Sequence, residues 1–371
     1  MTSILPINPD MNIGGELTLS LDDFLVNPGI SDFWPGQHRH RLLLDTGRSA
    51  IYLALLSILQ RGGKKEAWLP AYCCSSVLTP FQRLGFKIRF YTMGRDLASP
   101  GELPLDLDLN NRTFLFIHYF GKRNQTIHDY LTACQSRQRF FVIEDCVQAL
   151  FTRGLGCFDY AVYSLRKFLP LPDGALLSSG TPLAPFNLAP PDEGFVSRRL
   201  IGKLIRGRVD NAGFLDLFAE AEAFIDQEPQ PRAMSFLSRY LTERLTPSPI
   251  AARRMANFNY LLQLLQEVPV PAQPLFHELE AGEVPLGLPL ELDPDLREPL
   301  RSYLKGQGIY CPVHWPLADA RQAVFPAERL LSHSLLTLPL DQSLSEDQIA
   351  YTVEKIRRFF RSRSSSVPPR L

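Results

Sequence analysis

The sequence predicts an α/β fold, a mostly parallel sheet between helices followed by a smaller α+β region, and three observations lead there. Short runs rich in Val, Ile, Phe and Tyr are apolar throughout rather than alternating, the pattern of strands buried on both faces. Helical stretches separate these runs, so successive strands should run parallel with right-handed crossovers. After residue 181 a proline-rich loop, "TPLAPFNLAPPDEG", gives way to charged helical sequence and ends the sheet region.

Residues 1–41, rich in Pro, Gly and Asp, read as an irregular N-terminal arm. At "LLLDTGRSAIYLALLSILQRGG" an apolar run meets a turn and then a helix that is apolar on nearly every face and therefore buried. Thr46 or Ser49 can cap its start, and Gly62-Gly63 ends it. The runs "EAWLPAY", "KIRFYTM", "TFLFIHYFG", "RFFVIEDC", "DYAVYSL" and "GALLSSG" are the strands, with "SSVLTPFQRLG" and "IHDYLTACQSRQ" as short helices among them. Helical sequence from about Val196 to Leu265 follows, and "EVPVPAQPLF" marks a second boundary. The last hundred or so residues mix short strands, "GIYCPVHW" and "LLTLPL", with helices. In "SEDQIAYTVEKIRRFF" Ser345 and Gln348 form a capping box, and Ile349, Val353, Ile356 and Phe360 share a stripe. The end, "RSRSSSVPPRL", reads as a frayed basic tail. The expected division is an arm (1–41), a large α/β domain (42–250) and a small α+β domain (251–371).

Composition narrows the function. Across 371 residues Lys plus Arg and Asp plus Glu balance at 39 each, which argues against a nucleic-acid partner. There is no apolar run long enough for a membrane span, and the first residues lack signal-peptide regions, so the expectation is a cytoplasmic protein. The cysteines at 73, 74, 134, 146, 157 and 311 include no C-x-x-C pair and read as buried reduced thiols. A metal site from His118, Asp145 and Cys146 has no recognisable ligand spacing, and none is expected.

In open α/β sheets ligands collect at the carboxyl ends of strands, and several features fall there. "DTGRSA" opens a helix, so the amides of Gly47, Arg48 and Ser49 could hold a phosphate. "VIEDCVQ" puts Asp145 at a strand end, with Gln148 beyond; strand alternation lets only one of Glu144 and Asp145 face a site. "YSLRKFLPLPDG" ends a strand at Ser164 and carries Lys167, the sole lysine between Lys122 and Lys203. Alone, Lys167 reads as a surface lysine. Together with a phosphate cradle and a strand-end carboxylate it suits pyridoxal phosphate. Lysine forms an imine with the aldehyde, a carboxylate keeps the pyridine nitrogen protonated, and hydroxyl and amide donors hold the phosphate.

These segments, with "WLPAYCCSSVLTPFQRLGF", "HYFGKRN", "GCFDYAVYSLRKFLPLPDGALL" and "HWPL…LSHSLLTLPLDQSLSEDQI", resemble the DegT/DnrJ/EryC1/StrS family of fold-type I, pyridoxal-phosphate-dependent aminotransferases. The resemblance implies a seven-stranded sheet and a homodimer with sites at the subunit interface. It also implies Lys167 as the imine lysine, Asp145 at the pyridine nitrogen, Gln148 near the ring and Ser164 on the phosphate. An amino acid, glutamate above all, would be the donor, and a nucleotide-linked keto-sugar the acceptor. Three segments depart from the family pattern. Arg48 follows Gly47 where the family has Thr, and could reach phosphate or a substrate carboxylate. Cys73-Cys74 replace an aromatic that covers the ring, which makes Tyr72 the substitute candidate. The motif whose asparagine reaches the neighbouring subunit's phosphate is not recognisable within residues 181–250. His118 and His314 are candidates for substrate contact. Two alternatives stand beside transamination: an elimination on the same cofactor, against which the lysine itself argues, and a fold-retaining binding or regulatory protein.

Overall fold

The computed structural model describes residues 12–20, 34–101, 103, 107–206, 211–227, 230–244, 246–267, 270–317 and 320–364; most of the predicted arm and tail lies outside them. Strand β1 (Ile13–Gly14) comes first, then β2 (His40–Leu44), helix α1 (Gly47–Gln60), β3 (Glu66–Pro70), α2 (Ser75–Arg83) and β4 (Lys87–Tyr91). β5 (Thr113–Ile117), α3 (Gln125–Gln135), β6 (Phe141–Asp145), β7 (Tyr160–Ser164) and β8 (Ala175–Ser179) complete a seven-stranded sheet of order β2-β8-β7-β6-β5-β3-β4.

From β7 to β4 every neighbouring pair is parallel, whereas β8 runs antiparallel to both β7 and β2. The reversal has a simple cause. The 165–174 connection is too short for the crossover that a parallel partner demands, so β8 returns as a hairpin. β2 and β7 therefore point the same way, and the carboxyl ends of β2, β7, β6 and β5 meet at one sheet edge. β5, β6, β7 and β8 are buried along their whole length, which accounts for their unbroken apolar sequences.

Helix α1 packs on β7 and β8. Thr46 caps it by accepting from the Ser49 amide at 3.3 Å, and it ends before Gly62, whose φ of +85° suits glycine. Helices α4 (Glu193–Ile205) and α5 (Asn211–Gln227) pack closely against each other, followed by α6 (Phe236–Thr242) and α7 (Pro247–Gln266). The expected 250/251 boundary falls inside α7.

The C-terminal region carries β9 (Ala272–Pro274), β10 (Leu288–Leu292), α8 (Pro294–Gly306), β11 (Ile309–Tyr310), α9 (Arg321–Val324), α10 (Pro326–Ser334), β12 (Leu335–Leu338) and α11 (Glu346–Ser364). β12, β10 and β9 form an antiparallel sheet over a core that includes Ile349, Val353, Ile356 and Phe360. The capping box is present: Ser345 Oγ accepts from the Gln348 amide and Gln348 Oε1 from the Ser345 amide. Helix α11 runs on to Ser364, so Arg361–Ser364 are helical rather than frayed. β1 pairs in parallel with β11, which ties the N-terminal stretch to this region. No helix among the described residues is long and apolar enough to cross a membrane.

Candidate active site

A cleft of about 680 Å³ lies at the carboxyl edge of β2, β7 and β6. Each loop that reaches it is braced. After β2, Asp45 Oδ1 accepts from the Thr46 amide at 2.7 Å, and Thr46, Gly47 and Arg48 line the cleft. The Ser49 amide is engaged by the Thr46 cap, and Ser49 is not on the cleft wall.

The ends of β6 and β7 contribute Asp145, Gln148, Ser164 and Lys167, and all four line the same cleft. Asp145 Oδ1 accepts from the Val147 amide at 3.0 Å. Burial raises the Asp145 carboxyl above its usual range, and the Val147 amide and the charge of Lys167 pull against it. Gln148 Oε1 accepts from the amide of Phe120, a residue held at φ +53°. Lys167, half-buried, closes a 3₁₀ turn whose base is tied by Leu165 N donating to Gly174 O at 3.0 Å. Burial lowers its ammonium below the ordinary lysine value, opposed by the nearby Cys74 and Asp145.

Glu144 faces away, as strand alternation requires. Its carboxylate accepts from the amides of Gly156, Cys157 and Phe158 and from His118 Nε2. His118 Nδ1 accepts from the Asn124 amide at 3.0 Å, so the Nε2 proton points at Glu144. His118 is thus a saturated core histidine off the cleft wall. The cysteine near it, Cys146, sits with Glu144 and not Asp145, and this grouping replaces the His118–Asp145–Cys146 set considered from sequence.

Tyr72 is also away from the cleft wall. It is fully buried, its hydroxyl donates to the His314 carbonyl, and its ring packs 5.7 Å from that of Trp315. The wall in that direction is made by Cys74, Ser75, Ser76 and Trp315. His314 does line the cleft, with Nδ1 2.9 Å from Thr337 Oγ1. Burial, and then the charge of Lys167, push its imidazolium down to about 3, so it is neutral.

Sequence reasoning missed the charged wall. Glu222 of α5 accepts from Arg48 at 3.2 Å, Arg166 at 2.8 Å and Arg199 at 3.0 Å. Arg199 and Lys203 of α4, both buried, donate to Glu16 of the N-terminal stretch at 2.5 and 2.8 Å. Arg206 donates to the Gly14 carbonyl. Phe214 and Phe218 of α5 supply an apolar part of the same wall. The one sequence signal was the density of basic residues in "SRRLIGKLIRGR", a stretch that also has helical apolar spacing.

No family model and no curated protein matches the chain. Solved structures do. A DegT DnrJ EryC1 StrS aminotransferase from Brucella abortus superposes with a TM-score of 0.55 at 16% identity, covering 87% of this chain and 86% of that one. DesV from S. venezuelae, solved with a ketimine intermediate, gives 0.60 at 17% identity over 93% and 90%. The sugar aminotransferase Spr1654 from Streptococcus pneumoniae in its PMP form gives 0.64 at 14% identity over 95% and 93%. The chain has the fold of these aminotransferases.

Proposed function

We propose that the chain is a pyridoxal-phosphate-dependent aminotransferase that moves an amino group from glutamate to a keto-sugar, free or nucleotide-linked. The observation that carries this is the convergence of Lys167, Asp145, Ser164 and the start of α1 on one cleft. The residues fit the cofactor. A buried carboxylate is available to a pyridine nitrogen, a hydroxyl and a helix start are available to a phosphate, and an amine of lowered basicity lines the same cleft. When bound, the cofactor supplies an aldehyde and an electron-withdrawing ring.

The rest is the work of the chain. With the cofactor bound, Gly47, Arg48 and Ser164 would hold its phosphate, Gln148 would contact its ring, and Asp145 would keep its ring nitrogen protonated. Lys167 Nζ takes the proton from the substrate carbon that bears the amine and returns it. His314, neutral and beside Lys167, is placed for substrate contact; Tyr72 and His118 support the wall from behind. Six free cysteines support a reducing, cytoplasmic setting. The family resemblance of the motifs supports a homodimer, and the separate core beneath β9, β10 and β12 supports a small C-terminal domain.

Purified chain supplied with pyridoxal phosphate should turn yellow, and borohydride should bleach the colour while leaving the reduced cofactor covalently attached at Lys167. Lys167→Ala should stay colourless at saturating cofactor. Bleaching by glutamate, with transfer of the amine to added keto compound, separates transamination from a binding role. A colourless wild-type protein would sink the proposal.

A further inference from the structure

Helices α4 and α5 bring an acid into the cleft where an anion is needed. Glu222 lines the cleft with a side chain 36% exposed, while Arg199 behind it is 2% exposed. Three guanidiniums, from α1, the lysine turn and α4, donate to its two oxygens. Two of them flank the cradle: Arg48 is in the first turn of α1, and Arg166 stands between Ser164 and Lys167. A phosphate offers three strong acceptor oxygens and up to two charges to the same donors, a closer match than one carboxylate. Glu222 is reachable from the cleft and rides on a helix distinct from those that carry Arg48 and Arg166. Arg199 keeps its second partner, Glu16, if Glu222 leaves.

We propose that Glu222 is an internal stand-in for the cofactor's phosphate, holding Arg48 and Arg166 in place until the phosphate displaces it. The inference rests on the aminotransferase reading and adds to it a phosphate subsite that the chain's own α5 carboxylate occupies beforehand. Cofactor binding is then an exchange of one anion for another on preset arginines, and the apparent affinity is lowered by the competing carboxylate.

The test compares two aldehydes that differ only in the phosphate. The full chain, freed of cofactor, is titrated with pyridoxal phosphate and with pyridoxal while the visible chromophore is followed. Glu222→Gln should tighten pyridoxal phosphate about tenfold, the worth of freeing a charge-assisted partner, and leave pyridoxal unchanged. Arg166→Gln should weaken pyridoxal phosphate selectively. Inorganic phosphate should raise the melting temperature of Glu222→Gln more than that of wild type. Weaker binding in Glu222→Gln, an equal shift for both aldehydes, or no shift for either overturns the proposal. If wild type forms no chromophore the aminotransferase reading fails, and the inorganic phosphate arm alone then decides whether the anion subsite exists.

Discussion

Replacing Glu144 by alanine should destabilise the fold by about 3–5 kcal/mol, although this residue does not touch the cleft. The magnitude follows from what the carboxylate holds. It accepts from three successive amides, Gly156 at 3.0 Å, Cys157 at 2.6 Å and Phe158 at 2.8 Å, and from His118 at 3.3 Å. Each buried amide left without an acceptor costs about 1–3 kcal/mol, and water reaching the exposed Cys157 relieves part of that. Burial pushes the Glu144 carboxyl up, but His118 and the amides outweigh it and hold the group below its usual range. A depressed carboxyl stabilises the fold above the unfolded-state value, and that contribution is lost as the pH falls through the folded value. Denaturant unfolding of wild type and Glu144→Ala at neutral pH gives the difference, and it should shrink in acid. A loss under about 1 kcal/mol with unchanged denaturant dependence would refute the reasoning, because the three amides would then have other acceptors.

The remaining predictions concern single sites. Burial lifts the Asp45 carboxyl to about 6, against hydrogen bonds from Ser49 and Thr46, so the folded chain keeps a proton that the unfolded chain releases above its ordinary value of 3.8. Stability therefore falls as the pH rises between those values, and Asp45→Asn should gain about 1–2 kcal/mol over wild type across that window, read as melting temperature against pH. Gly121 has φ +95°, and a Cβ there would overlap the Val284 carbonyl oxygen. Gly121→Ala should cost about 3 kcal/mol by chemical denaturation, and a neutral result would mean that the 119–121 turn shifts freely.

The sheet was legible because burial on both faces leaves a run with no polar interruption, as in "FVIED" and "YAVYS". β9 and β10 were not, since "AQP" and "LPLEL" carry prolines and short alternation that read as loop. β1 is too short to leave any pattern, and only its partner β11 defines it. The gathering of Asp145, Ser164 and Lys167 could be inferred because strand ends in such sheets share an edge. Which aromatic or histidine faces the cleft depends on a side-chain direction that sequence does not encode, and Tyr72 and His118 turned inward. Glu222 and Arg166 meet across 56 positions of chain. That pairing arises only from how α4 and α5 fold back, and no local spacing announces it.

The pairing of Ile13 with Ile309 sets an order of events during synthesis. The sheet, α1 and the lysine turn are all made before residue 180 and can pack as soon as they emerge. Ile13 and Gly14 must wait, because the strand that seats them and Pro339, against which Gly14 is pressed, appear only near the end of the chain. The cleft is therefore walled last, from the two most distant parts of the sequence. A nascent or truncated chain would present Lys167 in an open groove, exposed to any aldehyde, before it could select one.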